Sequence, residues 1–558
     1  MDSIRHADDG WNSTVHVNDP PPEKGFNALR ARCLSEGSLF EDPDFPANDF
    51  SLYQSAPPVS AHGPIGWKRP GELVDHPKFV TEGYSRFDVV QGTLGNCWFI
   101  SSCASLTSHP ELFERVVPQD NGEFEDARYA GLFHFRFWKY GQWVEVTVDD
   151  RLPVNEDDQL LYISSSVADE FWGALVEKAY AKLHGSYEAL TGGTGREGLV
   201  DLTGGITEFY ALKGAEPDDL FEMVERSLAR RALVTAGIDA DEQGRLERVN
   251  LVPAHEYSVT KVCRLEPGRH LQLDLGGEGD GSVKLICVRN PWGGGEWNGA
   301  WSDDSVEWIA VTEEKMAELN VGKEDGEFWM SFEDFVTYFD DITMCRQCPS
   351  LLSDAQRSCH PWELVSRKGE WKRDSTAGGS DGQSFWRNPQ FLIELPASNA
   401  CSAGARDVDG DRNVRVTLGL MQKHHRARGT NLLPMRLLVY PISEHVAIGR
   451  KRLGETFFED ATPVDSEPVR FETSREVIVR YALPAGKYVV IPHTWKPRQE
   501  AEFLLRIFAE GRVIDLGEQV MDVERRCENL LWFSLTSVAK LVRRVVKFVT
   551  DFWNNCLW

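Results

Sequence analysis

The chain has 558 residues, a length that fits two to four domains of ordinary size, each able to bury its own core. Hydrophobic residues make up 41% and charged residues 26%, close to a soluble globular average, which disfavours wholesale disorder, collagen-like repetition and a polytopic membrane protein. A net charge of −27 repels a phosphate backbone, so nucleic acid is not an expected partner, while the surplus carboxylates suit hard cations such as calcium.

Residues 1–25 are polar and contain Pro20-Pro21-Pro22, reading as a flexible arm. Two lobes are expected next, over 26–204 and 205–345. In the first, Tyr129 to Val148 predicts paired strands around Tyr140-Gly141, because Phe133, Phe135 and Phe137 alternate and Trp143, Val144 and Val146 follow. Leu175, Ala179 and Leu183 recur every four residues, which predicts a helix over Phe171 to Leu183. Gly-rich stretches at Gly192, Gly193 and Gly195 and at Gly204-Gly205 suit a hinge. Over 346–512, short strands at Phe391–Leu395, Val414–Leu420, Met435–Tyr440, Val477–Tyr481, Tyr488–Ile491 and Phe503–Phe508 predict an antiparallel sandwich without helices. The tail, 513–558, carries Leu535, Val538, Val542, Val545, Val549 and Phe552 at alternating spacings of three and four, the seam of an amphipathic helix. Lys540, Arg543, Arg544 and Lys547 lie largely off that seam. The helix suits an anionic phospholipid surface, an acidic protein partner, or the chain's own sandwich. The fold class is therefore α+β, with no transmembrane segment, since no run reaches the ~18 uncharged apolar residues of a span.

Eleven cysteines, an odd number spread over the whole chain, do not form a disulfide framework, and the N-terminus lacks the apolar core of a secretory signal. A reducing cytoplasm is the expected compartment. The strongest chemical signal is Gln91-Gly92-Thr93-Leu94-Gly95-Asn96-Cys97-Trp98. Phe99, Cys103 and Leu106 share a helical face, so a helix is expected to begin at Cys97 with Asn96 as its N-cap, a position that lowers a thiol pKa. An isolated cysteine is more often a packing residue, and what lifts this one is its company. His255 opens a strand-like run 158 residues later, and Asn290 ends another strand 35 residues beyond it. That order and separation fit a papain-like enzyme. Cys97 would attack a scissile carbonyl as thiolate, His255 would be its proton partner, and Asn290 would orient the imidazole. Gln91 would join the Cys97 backbone N–H in holding the oxyanion, and Trp292 would shield the His255–Asn290 hydrogen bond.

Around these residues run longer motifs: Asp149 to Pro153, Glu170 to Trp172, Glu177 to Lys182, Gly185 to Leu190, Asn290 to Gly293, Glu296 to Gly299 and Asp325 to Met330. Others follow at Phe385 to Phe391, Leu420 to His424 and Leu483 to Val490. Together they resemble the calpains over about residues 26–512. The resemblance implies a two-lobed, calcium-activated cysteine endopeptidase acting on protein substrates. It implies one calcium site from Asp88 and Glu170 with carbonyls at Thr81 and Gly83. It implies a second from Glu296, Asp303, Asp325 and Glu327 with a carbonyl at Lys323. The sandwich would be the calpain C2-like domain.

The chain departs from that pattern at three places near the site. Asn96 stands where the family usually has Asp, Ala254 where Gly normally precedes the histidine, and Glu256 where a small residue normally follows. A carboxylate beside His255 is expected to raise its pKa or crowd the cleft. Nothing after residue 512 has the pattern of an EF-hand loop, and the nearest acidic run, Asp407 to Asp411, has its Gly misplaced and Leu418 where the twelfth-position Glu belongs, so an atypical form without a penta-EF-hand domain is expected. Cys345, Cys348, Cys359 and His360 have partial zinc spacing but read as reduced, unliganded thiols. The basic cluster Lys423 to Arg428 suits an acidic lipid or an acidic loop, or is simply a solvated hairpin tip. Two rival functions stand beside the protease: a transglutaminase, whose third member is typically Asp, and a catalytically weak or inactive scaffold that binds partners or membranes.

Overall fold

The computed structural model describes residues 17–18, 25–55, 64–240, 244–272, 281–319, 325–346, 362–399, 413–443, 452–464 and 471–518. The C-terminal seam, the Asp407 to Asp411 run, and Cys348, Cys359 and His360 lie outside these residues.

The first lobe is built on helices. The hairpin Leu132–Lys139 and Gln142–Asp149 closes through Tyr140 and Gly141, both at positive φ (51° and 94°), the left-handed pair that a two-residue turn between right-twisted strands requires. Its inward face, Phe133, Phe135 and Phe137, packs on the helix Trp172–His184, of which Leu175, Ala179 and Tyr180 are fully buried. That helix ends at Gly185, at φ 106°, a conformation glycine adopts without strain. The cysteine helix, Cys97–Leu106, and the linker helix, Gly195–Thr203, complete the lobe.

The second lobe is a six-stranded antiparallel sheet in the order Glu327–Ser331, Val283–Arg289, His255–Leu265, Leu233–Ile238, Asp341–Arg346, Ile206–Ala211. One face buries Val234, Ala236, Tyr257, Val259 and Phe328 in its own core. On the other face, Thr235 and Glu256 turn toward the cysteine and linker helices of the first lobe, while Cys263, Leu285, Cys287 and Trp329 belong to a second apolar cluster of the same lobe.

Residues 362–518 form a sandwich of two four-stranded sheets. Ile393, Leu418, Leu437, Val490 and Leu505 are among the side chains buried between them. The six expected strands are present, and two further strands, Trp362–Trp371 and Ile514–Glu518, lie at sheet edges. Short helices at His425–Arg428 and Glu455–Asp460 correct the helix-free expectation.

The sandwich grips the Gly-rich segment between the lobes. Arg506, fully buried and bidentate on Glu476, donates from Nη1 to the carbonyls of Gly204 (3.0 Å) and Gly205 (2.9 Å). Arg426 donates to the carbonyls of Ala189 (2.8 Å) and Gly192 (2.7 Å) and to Glu197 (3.1 Å), and Arg475 bonds Asp201 Oδ2 at 2.8 Å. Of the readings of the basic cluster, the one seen is pairing with acidic residues of this chain, in place of a merely solvated tip. Arg426 is spent on the protease core, while Lys423 and Arg428 pair with Glu502.

Candidate active site

The segment before Cys97 is tight because Gly92 lies against the carbonyls of Leu161 and Tyr162, where any Cβ would sit within 2.6 Å of backbone oxygen. The cysteine helix starts with the Asn96 carbonyl accepting from the N–H groups of Phe99 and Ile100. The Asn96 side chain does not cap it, contrary to expectation: its Nδ2 donates to Glu177 Oε1 at 2.6 Å. Glu177 is a buried carboxyl that also accepts the Ile163 N–H, and burial pushes it up to about 8. The Cys97 thiol is half-buried, and burial raises its pKa; the Glu256 backbone N–H opposes this and the Glu256 carboxylate adds to it. The expected lowering by the helix N-terminus is therefore outweighed.

Across the cleft, His255 begins its strand, and its Nε2 stands 2.9 Å from Asn290 Oδ1. Asn290 Oδ1 also accepts the Trp292 N–H (3.0 Å), and its Nδ2 donates to the Gly295 carbonyl (3.1 Å), so the amide orientation is fixed. An acceptor at Nε2 makes the neutral ring carry its proton there and leaves the Nδ1 lone pair for a thiol. Trp292 lies over the imidazole with ring centroids 4.9 Å apart. Burial lowers the His255 pKa to about 4, against the opposing pull of Asn290. Thiol and imidazole are both neutral at pH 7 in this arrangement. Gln91 is anchored by its backbone N–H to the Pro291 carbonyl (2.9 Å), which ties the two sides of the cleft. Its Nε2 donates to Leu94 O at 2.7 Å, so one amide hydrogen is already engaged.

Residues 40–346 match the family model described as "Calpain family cysteine protease", and residues 367–508 match "Calpain large subunit, domain III". The chain belongs to the calpain family. It is 41% identical over 501 residues to Calpain-B of Drosophila melanogaster, covering 87% of this chain and 51% of that one. It is 41% identical over 518 residues to Calpain-9 of Rattus norvegicus, covering 91% and 70%. To the Calpain-2 catalytic subunit of Mus musculus it is 41% identical over 500 residues, covering 87% and 68%. The chain thus spans about half the length of the fly relative.

The residues expected to bind calcium fall in two groups. In the first lobe, Glu170 accepts the Thr81 N–H (2.7 Å) and the Ser165 hydroxyl (2.8 Å), while Asp88 accepts the Trp172 indole N–H (3.2 Å). Burial pushes Glu170 up to about 7 and raises Asp88, and the charge of Asp88 adds to the rise at Glu170. Thr81 Oγ1 is buried without a partner, and Gly83 turns the loop at φ 94°. Two buried carboxyls that repel each other beside an orphaned oxygen fit a hard cation. In the second lobe, Glu296 and Asp325 accept the N–H groups of Gly326 (2.7 Å) and Glu327 (3.0 Å), and Glu327 Oε1 is buried and unpartnered. Asp303 stands in a turn of the same lobe, and Lys323 lies outside the described residues. Among the described residues, no group of three or more His, Cys, Asp or Glu is placed to hold a metal ion, so main-chain oxygens would have to complete either set.

Three features were not expected. Arg86 of the first lobe bonds Glu327 of the second at 2.7 Å, an ion pair across the cleft that spacing cannot reveal. Glu177 had a readable signal, a carboxyl inside an otherwise apolar helix face. Glu256 does not face the imidazole, which corrects the expected rise in the His255 pKa: adjacent strand residues point to opposite faces, and its carboxyl turns to Gly195 and Thr235. Cys345 is buried against the Thr203 hydroxyl (3.4 Å).

Proposed function

We propose that the chain is a calcium-activated cysteine endopeptidase that cleaves protein substrates by limited proteolysis. The observation that carries this reading is the His255–Asn290–Trp292 assembly, with Nδ1 left free, in a lobe that faces the start of the cysteine helix. His255 Nδ1 takes the proton of Cys97 Sγ as the thiolate adds to the scissile carbonyl. The resulting oxyanion is held by the Cys97 backbone N–H and by the second hydrogen of Gln91 Nε2. The imidazolium returns its proton to the departing amine. A water then enters, His255 takes a proton from it, and the thioester is hydrolysed. Asn290 keeps the ring in one orientation throughout, and Trp292 keeps water from competing for that hydrogen bond.

Asp88 and Glu170 with the carbonyls of Thr81 and Gly83 would hold one calcium, and Glu296, Asp303, Asp325 and Glu327 with the carbonyl of Lys323 the other. Bound calcium would supply positive charge that cancels the repulsion between buried carboxyls and favours the closed arrangement of the lobes. A reducing, cytoplasmic setting belongs to the proposal, since the attacking sulfur must stay a thiol. In a casein-cleavage assay, Asp88→Ala and Asp325→Ala should each raise the calcium needed for half-maximal activity, on the order of tenfold for one lost charged ligand. Calcium-independent cleavage by the wild type, or an unchanged requirement in both variants, would contradict it.

A further inference from the structure

The sheet of the second lobe meets the cysteine and linker helices through a polar layer. Its register sets Asp341, Gly237 and Glu256 in one row across three strands, and Thr343, Thr235 and Ser258 in the next. Within this layer Glu256 Oε1, Thr235 Oγ1 and Ser258 Oγ are buried, with the Thr235 hydroxyl and the Gly195 backbone facing the Glu256 carboxyl. Two glycines make the space for the carboxyls. A Cβ at Gly195 would come within 2.2 Å of both Glu256 Oε1 and Thr235 Oγ1, and a Cβ at Gly237 within 2.8 Å of Asp341 Oδ2. Glu256 is also held to the nucleophile's helix. Its carbonyl accepts the Ser101 hydroxyl at 2.8 Å, one turn beyond Cys97, and its backbone N–H is directed to the Cys97 sulfur.

We propose that Glu256, its backbone held to the cysteine helix and its carboxyl seated between the lobes, is a positioning residue that acts as a proton-operated brake on the nucleophile. Ionised, its charge opposes the Cys97 thiolate. Protonated, it leaves the thiolate unopposed. The inference rests on the protease reading above. The charged and titratable groups facing this carboxyl are Cys97 from the cysteine helix, Arg196 from the linker helix, and Asp341 from the adjoining strand, with Asp239 and Asp340 bordering Asp341. His255, its neighbour in sequence, turns its ring to Asn290, Tyr257 and Trp292 instead. Burial, with the charge of Asp341, pushes Glu256 up to about 7, so the brake would engage as pH rises through neutrality.

The test is the pH dependence of Cys97 alkylation by iodoacetamide in the full chain with calcium, read at the Cys97 peptide by mass spectrometry, with Cys97→Ala as blank. In Glu256→Gln, and in Glu256→Ala, which restores the small residue usual in the family, the midpoint should fall by about one pH unit, and labelling below the wild-type midpoint should rise up to about tenfold. Calcium-dependent casein cleavage by the wild type is measured on the same preparation. Cleavage together with wild-type midpoints in both variants overturns this inference alone. Absence of cleavage by the wild type overturns the protease reading and this inference with it.

Discussion

At the scale of single residues, the departures near the site each have a physical consequence. Ala254 sits at φ 50°, where its Cβ crowds the backbone, and the glycine usual in calpains at this place would not. The left-handed conformation costs about 1–2 kcal/mol for a residue with a Cβ. Glycine would relieve that strain while adding about 0.4–1 kcal/mol of freedom to the unfolded chain. Ala254→Gly should therefore stabilise the fold by roughly 0.5–1 kcal/mol, seen as a raised melting temperature. A lowered one would show that the strain is absorbed elsewhere. Asn96 is a different case. It presents an N–H donor to the buried Glu177 carboxyl, whereas the usual Asp would set two carboxyls face to face, with one proton required between them. The sequence exposed both departures, but their meaning needed a φ angle and a partner 81 residues away.

At the scale of elements, what could be read in advance was local. The Tyr140-Gly141 hairpin declared itself through alternating aromatics around a turn dipeptide, and the helix Trp172–His184 through its four-residue repeat. The strand Trp362–Trp371 did not, because Glu363, Ser366, Arg367, Lys368 and Glu370 interrupt its apolar pattern, as an edge strand tolerates. Nor could periodicity say which face of the His255 strand meets the cysteine helix, since that follows from pairing with distant strands; the direction of Glu256 was therefore misread. The Arg86–Glu327 pair is of the same kind, joining elements 241 residues apart. Arg86 is partly exposed, but Glu327 is nearly buried, so removing the guanidinium leaves a carboxylate poorly solvated at the lobe junction. Arg86→Ala should lower calcium-dependent casein cleavage about tenfold, the order expected for one charge-assisted hydrogen bond of ~1.5–3 kcal/mol. Wild-type cleavage in that variant would mean the pair does not support the closed lobes.

For the whole molecule, hydrogen bonds and ion pairs join the sandwich to the protease core around the linker helix. Glu197 and Asp201 are buried there. Burial alone would raise their pKa values, yet Arg426 and Arg475 hold Glu197 below the usual carboxylate range, and Arg475 does the same for Asp201. Removing Arg475 would leave the buried Asp201 carboxylate without its guanidinium, a loss of about 3–5 kcal/mol, whereas without Arg426 the Glu197 carboxylate keeps Arg475 and His425 nearby. Because Arg506 binds the carbonyls of Gly204 and Gly205, any rearrangement of the lobes about this segment must carry the sandwich with it or break those bonds. In this arrangement Cys97 and His255 are both neutral, and under the proposed function calcium converts the pair into a working nucleophile. Covalent labelling of Cys97 by an electrophilic peptidyl probe, with and without calcium, tests it most directly. The prediction is labelling at Cys97 that requires calcium and is lost in His255→Ala; equal labelling without calcium, or none with it, would contradict the account.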